Sequence, residues 1–201
     1  MKEMTCMIKF GKKVNYRPLV VSFLLAATIG MIFGWSFYRK LGVEIGIIIF
    51  LLMILGHYLF ILPIIFNYWD SDNNYIHYTD IKSLHKRLLS ILFPALLSTQ
   101  KIDKSQINQI DILGLPQPKF SLTDELIISE EGGMMYNLYL MINEPIKVRL
   151  TMTNHRKIDL DISHDYVKHS RETLIKLRIF LKNCNPNIVH LSDDTRKLIQ
   201  A

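Results

Sequence analysis

Few residues in this chain combine a reactive type with a useful spacing, and each has a simpler structural role to set beside it. His57 sits in the middle of the uncharged stretch Ile45–Trp69. An ionisable group inside an apolar run is a functional candidate, as a proton carrier or a pathway-lining group. A proton relay needs a titratable partner, and the apolar stretches offer no Asp, Glu, Lys or Arg. A neutral imidazole bonded to Thr28 or to a backbone carbonyl is the alternative. His164 and His169 lie beside Asp161 and Asp165, a set that could ligate a metal weakly. Their spacing of five splits the two rings across a helix face, and a helix-capping acidic cluster explains the same residues. Asp124 with Glu125, and Glu130 with Glu131, are adjacent carboxylates near turns. General acid–base chemistry needs carboxylates opposed across a cleft, which neighbours on a strand do not provide.

Cys6 and Cys184 are the only cysteines, and neither has a metal-like or CxxC spacing. Cys6 lies in a basic arm where S-acylation is conceivable, against a free thiol without a role. The chain has no GxSxG, HExxH, P-loop, strand-associated GxGxxG or DxDxDG motif. No catalytic residue, metal ligand or cofactor is therefore assigned, and no enzyme activity is expected.

The elements that must carry these residues are dominated by two apolar stretches. Pro18–Tyr38 is 21 residues without a charge, and Ile45–Trp69 is 25. A bilayer core about 30 Å thick needs roughly 20 apolar residues at 1.5 Å each. Both stretches reach that length and are expected to be transmembrane helices. The first is too long for a signal peptide and ends in Trp35, Phe37, Tyr38 and Arg39, so a retained span is expected. The loop at 39–44 is short, which predicts an antiparallel hairpin. Ser22, Ala26, Gly30 and Gly34 recur every four residues, a face that permits close helix approach. Its partner is either the second span or the same face of a second copy. Tyr16, Trp35, Tyr38, Tyr68 and Trp69 fall at span ends, where amphipathic rings anchor.

The formal charge of +6 is distributed unevenly. Residues 1–17 carry Lys2, Lys9, Lys12, Lys13 and Arg17 against Glu3, whereas residues 70–201 are nearly neutral. That pattern suits orientation and anionic lipid, not nucleic acid. The positive-inside rule places arm 1–17 in the cytoplasm, and two spans return the remainder to that side. Lys82, Lys86 and Arg87 agree; Arg39 and Lys40 in the outer loop weigh against it. Lys9, Lys12, Lys13, Arg17, Lys82, Lys86 and Arg87 are the expected membrane-surface contacts.

Residues 70–183 are long enough for one α+β domain. A strand is expected over 74–78. A helix follows over 81–98, capped by Thr79 or Asp80, with Ile81, Leu84, Leu88 and Ile91 on its apolar face. That helix either lies on the inner leaflet or packs on the domain core. Strands are expected in a region that begins with Ile107 and Ile110 and ends at Gly114-Leu115-Pro116, over 120–129 and over 135–142, with Glu130–Gly133 as a turn. Ile146–Met152 and Ile158–Ile162 alternate apolar and polar around a turn, the strongest hairpin signal in the chain. Ser163 or Asp165 can cap a helix to about Lys182. Residues 184–201 contain Asn-Pro-Asn without periodicity and read as a mobile tail.

Five to seven antiparallel strands and one closing helix, with the KIDLDIS strand and the DYVKHSRETLIKLRIFL helix, resemble the bacterial PH-like domain. That domain follows a two-helix anchor in many small bacterial membrane proteins. The resemblance implies a PH-like antiparallel barrel or sheet with a C-terminal helix, in the bacterial cytoplasmic membrane. It implies a non-enzymatic binding or scaffold protein whose partners are the bilayer and a membrane-associated protein. Bacteriocin self-immunity or an envelope accessory role would be the more specific form. The alternative is a subunit of an oligomeric channel or transport assembly, with His57 lining the pathway.

Overall fold

A computed structural model describes residues 7–116 and 130–200, which form two compact units. The strand expected over 120–129, together with Cys6, Asp124 and Glu125, lies outside the described residues.

The first unit, Lys12–Phe66 with Thr79–Thr99, is a helical hairpin. Helix α1 spans Arg17–Ser36, with Pro18 in its first turn, where a missing N–H is harmless. Helix α2 spans Arg39–Ile65 and is wound as π-helix over Leu52–Tyr58. Both are long and apolar enough to cross a membrane. The second span therefore begins at Arg39, so the expected loop at 39–44 is its first turns, and it stops at Ile65, two residues after Pro63, and not at Trp69. Helix α3 spans Leu84–Leu92 and is followed by a 3-10 turn at Pro94–Leu96. The helix expected over 81–98 is thus shorter at both ends. Ser83, in extended backbone, precedes its first turn, and Pro94 ends its regular winding. Ile81 and Ile91 are buried with Val14, Ile54 and Leu62. Residues 79–99 accordingly belong to the hairpin unit and not to the domain that follows it.

The second unit is α+β. One sheet has the order β1-β2-β3-β4: Ile8–Phe10, Trp69–Ser71, Tyr75–Thr79 and Thr99–Asp103. The other has the order β7-β6-β5-β8: Lys157–Asp161, Lys147–Met152, Ile107–Leu113 and Val189–His190. The hairpin of β6 and β7 forms at the expected place, with Arg149 opposite Asp159 and His155 at φ 63° in its turn. Helix α4 covers Glu130–Asn143, so the expected turn at 130–133 and strand over 135–142 are one helix. The helix expected from Ser163 to Lys182 is two, α5 Ser163–Lys168 and α6 Ser170–Lys182, broken by His169 at φ −144° and ψ 66°.

Both chain ends differ from expectation. Part of the supposed basic arm is β1, paired to β2 through Ile8–Ser71, Lys9–Asp70 and Phe10–Trp69. Ile8 and Phe10 enter the core while Lys9 faces out, a period-two pattern too short to stand out in sequence. The supposed mobile tail holds β8, parallel to β5, and helix α7, Asp193–Gln200. Ile199 anchors α7 in the core, and Thr195 Oγ1 donates to the Leu115 carbonyl at 2.8 Å.

Trp69, 1 % exposed, is the centre of this unit. Its ring stacks on Phe10, meets Phe180 of α6 edge-on, and its Nε1 donates to the Asp161 carbonyl at 3.2 Å. Trp69 and the buried Tyr68 are therefore core residues here, whereas they were expected as membrane anchors.

Candidate functional site

The hairpin unit is built on glycine. A methyl group placed on Gly30 would lie 2.8 Å from the Gly42 carbonyl oxygen, and one on Gly46 would lie 3.2 Å from that of Ala26. A side chain on Gly42 would collide with Gly30 and Gly34. Ala26, Gly30 and Gly34 of α1 thus face Gly42 and Gly46 of α2 at backbone contact. Ser22, fully buried, returns its hydroxyl to the Pro18 carbonyl at 2.8 Å. Large apolar side chains point outward: Phe23, Met31, Ile32, Val43, Leu52 and Phe60 are all exposed. Apolar residues outside and small ones inside is the distribution that lipid favours. Trp35, 93 % exposed, and the exposed Tyr16 and Tyr38 stand at the ends of α1.

His57 does not reach Thr28. The Thr28 hydroxyl donates to the Leu24 carbonyl of its own helix at 2.8 Å. His57 is exposed on the π-helical turn, and its one ring contact is edge-on with Tyr58 at 5.0 Å.

The expected membrane-surface cations occupy different situations. Lys9 projects from β1, and Lys12 and Arg17 are exposed. Arg87 gives three donors to backbone: Nε to Ile81, and its terminal amines to Lys82 and Leu59. Lys86 pairs with Asp80, and that bond, against burial, holds the Asp80 carboxyl below its ordinary range. These two therefore brace the α2–α3 connection. Lys82, beside them, is exposed and adds its charge to the field on Asp80.

In the α+β unit, two titratable clusters form. Tyr68 donates to Asp70 Oδ2 at 2.6 Å, and His77 Nδ1 meets Asp70 Oδ1 at 2.9 Å. The β2–β3 register sets Asp70 opposite His77. Burial, then the bond to Asp70, raises the Tyr68 phenol far above its ordinary pKa. A carboxylate that orients an imidazole is half of a general-base arrangement. Among the described residues no hydroxyl or thiol completes it. This cluster is missed in the sequence because Asp70 reads as part of a polar exit; the signal is its mirror position to His77 about the Asp72–Asn74 turn.

The second cluster is the capping region of α5. Asp161 Oδ1 accepts the Ser163 N–H at 2.8 Å, and the Ser163 hydroxyl accepts the Ile146 N–H at 2.8 Å. Asp165 Oδ2 accepts the Gly11 N–H at 2.7 Å. Gly11 has φ +71°, and any side chain there would strike the Asn67 carbonyl, so glycine alone fits. His164 is buried, with Nδ1 3.5 Å from Asp165 Oδ1. His169 is exposed and outside the cluster. Among the described residues no group of three or more His, Cys, Asp or Glu side chains is placed to hold a metal.

Comparison with family models, curated proteins and solved structures found no match to this chain.

Proposed function

We propose that this chain is a non-enzymatic, membrane-anchored binding module. Helices α1 and α2 hold a PH-like α+β domain at the cytoplasmic face of a bacterial plasma membrane. Its work is colocalisation: tethering raises the effective concentration of the domain for membrane-associated protein partners. The observation that carries this reading is the hairpin, whose small residues pack inward while its large apolar side chains remain outside.

The pairing of β1 with β2 supports an even number of crossings, because strands before and after the hairpin share one sheet. Two sheets with α6 packed into their core support the PH-like reading, while the parallel strand β8 and helix α7 beyond α6 depart from an all-antiparallel barrel closed by one helix. The paired states of Asp161, Asp165 and Asp70 favour structural over catalytic roles. Self-immunity against a membrane-active bacteriocin, or service to an envelope assembly, would be specific forms of this function.

Crosslinking and pull-down of the full-length protein from its native membrane tests the reading. A protein partner lost when the exposed surface of the α+β unit is altered supports a scaffold. Recovery of the chain with itself alone moves the assignment to an oligomeric channel or transport assembly. The exposed His57, with no hydrogen-bond partner among the described residues, favours that second reading, and pH-dependent conductance abolished by His57→Leu would establish it.

A further inference from the structure

A cleft of about 570 Å³ opens between the end of α6 and the segment 184–199. Three cations line it, Arg178, Lys182 and Arg196, and no carboxylate does. Arg178 and Lys182 are one turn apart on α6, so they share a face. Arg196 comes from α7. Arg178 Nε donates to the Ile199 carbonyl at 2.6 Å, which ties α7 to α6 and fixes the guanidinium. Its terminal amines have no partner among the described residues, nor have Lys182 or Arg196, and both of those are exposed. The acid of α6, Glu172, lies in its first turn, away from the cleft, and is engaged with Lys176. The rest of the cleft is apolar, including Leu181, Leu191 and Ile199.

Three cations over an apolar floor repel one another, and among the described residues no carboxylate lines the cleft to neutralise them. The arrangement suits an anion joined to an apolar body. Guanidinium forks match phosphate oxygens in pairs, and Lys adds a point charge. A dianionic phosphate would neutralise most of this charge, whereas a carboxylate would leave two positive charges facing each other. The volume lies within the ordinary range for small-ligand sites. We infer that this cleft binds the phosphate group of an amphiphilic phosphate ester, with Arg196, Lys182 and Arg178 as its anion-binding residues. The inference is independent of the scaffold reading, because it concerns only the α+β unit.

The test uses the full chain in phosphatidylcholine nanodiscs, titrated by calorimetry with dihexanoyl phosphatidic acid, glycerol 3-phosphate and dihexanoyl phosphatidylcholine. Saturable binding of the phosphatidic acid is expected, with much weaker binding of the phosphatidylcholine. Arg196→Gln and Lys182→Gln should each weaken it about tenfold, the loss of one charge-assisted contact. Both side chains are exposed, so the fold should survive; Arg196→Lys should restore most of the affinity and Lys157→Gln should change nothing. Binding only of the acylated compound identifies a lipid, whereas equal binding of glycerol 3-phosphate would show that the apolar floor takes no part and would overturn the amphiphilic ligand. Equal binding of the two lipids, no binding of any phosphate, or full affinity in both Gln variants would overturn the proposal.

Discussion

Phe10 and Trp69 stack with ring centroids 4.2 Å apart and planes 16° from parallel. They are paired in register across β1 and β2, although the entire apolar hairpin separates them in sequence. The stack is what fastens a three-residue N-terminal strand into the sheet.

Phe10→Ala should lower the stability of the α+β unit by about 3–5 kcal/mol, the usual loss for a buried aromatic. Denaturation of the full chain in detergent, followed by near-ultraviolet circular dichroism of Trp69, measures it. A change under about 1 kcal/mol would show that β1 contributes little to the core.

Gly42→Leu should separate α1 from α2, because a side chain there meets the backbone of Gly30 and Gly34. A disulfide between cysteines placed at Ala26 and Gly46 reports the separation. The bridge should form readily in the parent and poorly in the variant. Efficient bridging in Gly42→Leu would mean that the helices meet on another face.

Cysteines introduced at Lys12, Leu41 and Arg156, with Cys6 and Cys184 replaced by serine, test the crossing. Reagent added outside intact cells should label Leu41→Cys alone. Labelling of Lys12→Cys and Arg156→Cys instead inverts the orientation. Opposite accessibility of those two positions would contradict an even number of crossings.

Asp165 sets an acid limit. Burial raises its pKa, but the His164 imidazole 3.5 Å away and the bond from the Gly11 N–H outweigh this and hold the carboxyl below its ordinary value. A depressed folded-state pKa contributes stability above the unfolded value near ~3.9, lost as pH falls through the folded value. The full chain should therefore destabilise below about pH 4 more steeply than Asp165→Asn, which should be about 1 kcal/mol less stable at neutral pH. Parallel acid limbs in denaturant titrations would remove Asp165 from this role.

The parts legible in the sequence are those with long, unmixed periodicity. Two uncharged runs gave α1 and α2, and alternation from Lys147 to Asp161 gave β6, its turn and β7. The others failed for physical reasons. β1 is three residues long and gains its meaning only from β2, far along the chain. In 130–143 two glycines followed by an apolar stretch with Tyr136 and Tyr139 favour a turn and strand locally, yet the segment is a helix, with Leu140 buried and Tyr139 and Ile142 exposed. At the C-terminus Ile199 and Thr195 carry the packing of α7, and two contacts leave little trace in hydropathy. The cationic cleft escaped because Arg178, Lys182 and Arg196 are scattered in sequence and meet only when α7 docks. The Tyr68–Asp70–His77 cluster needed the β2–β3 register to become visible.

The junction at Gly11 and Asn67 has a consequence for synthesis. The ribosome makes β1 first, and its partner β2 emerges only after both helices of the hairpin. The first sheet therefore cannot close until α2 is complete. If both helices cross the bilayer as proposed, a chain whose second helix failed to insert would carry Trp69 to the opposite side from Phe10, and its core would lack its central ring pair. On the proposed reading of α1 and α2 as a membrane hairpin, closure of that sheet would follow a completed double crossing and so act as a checkpoint on insertion.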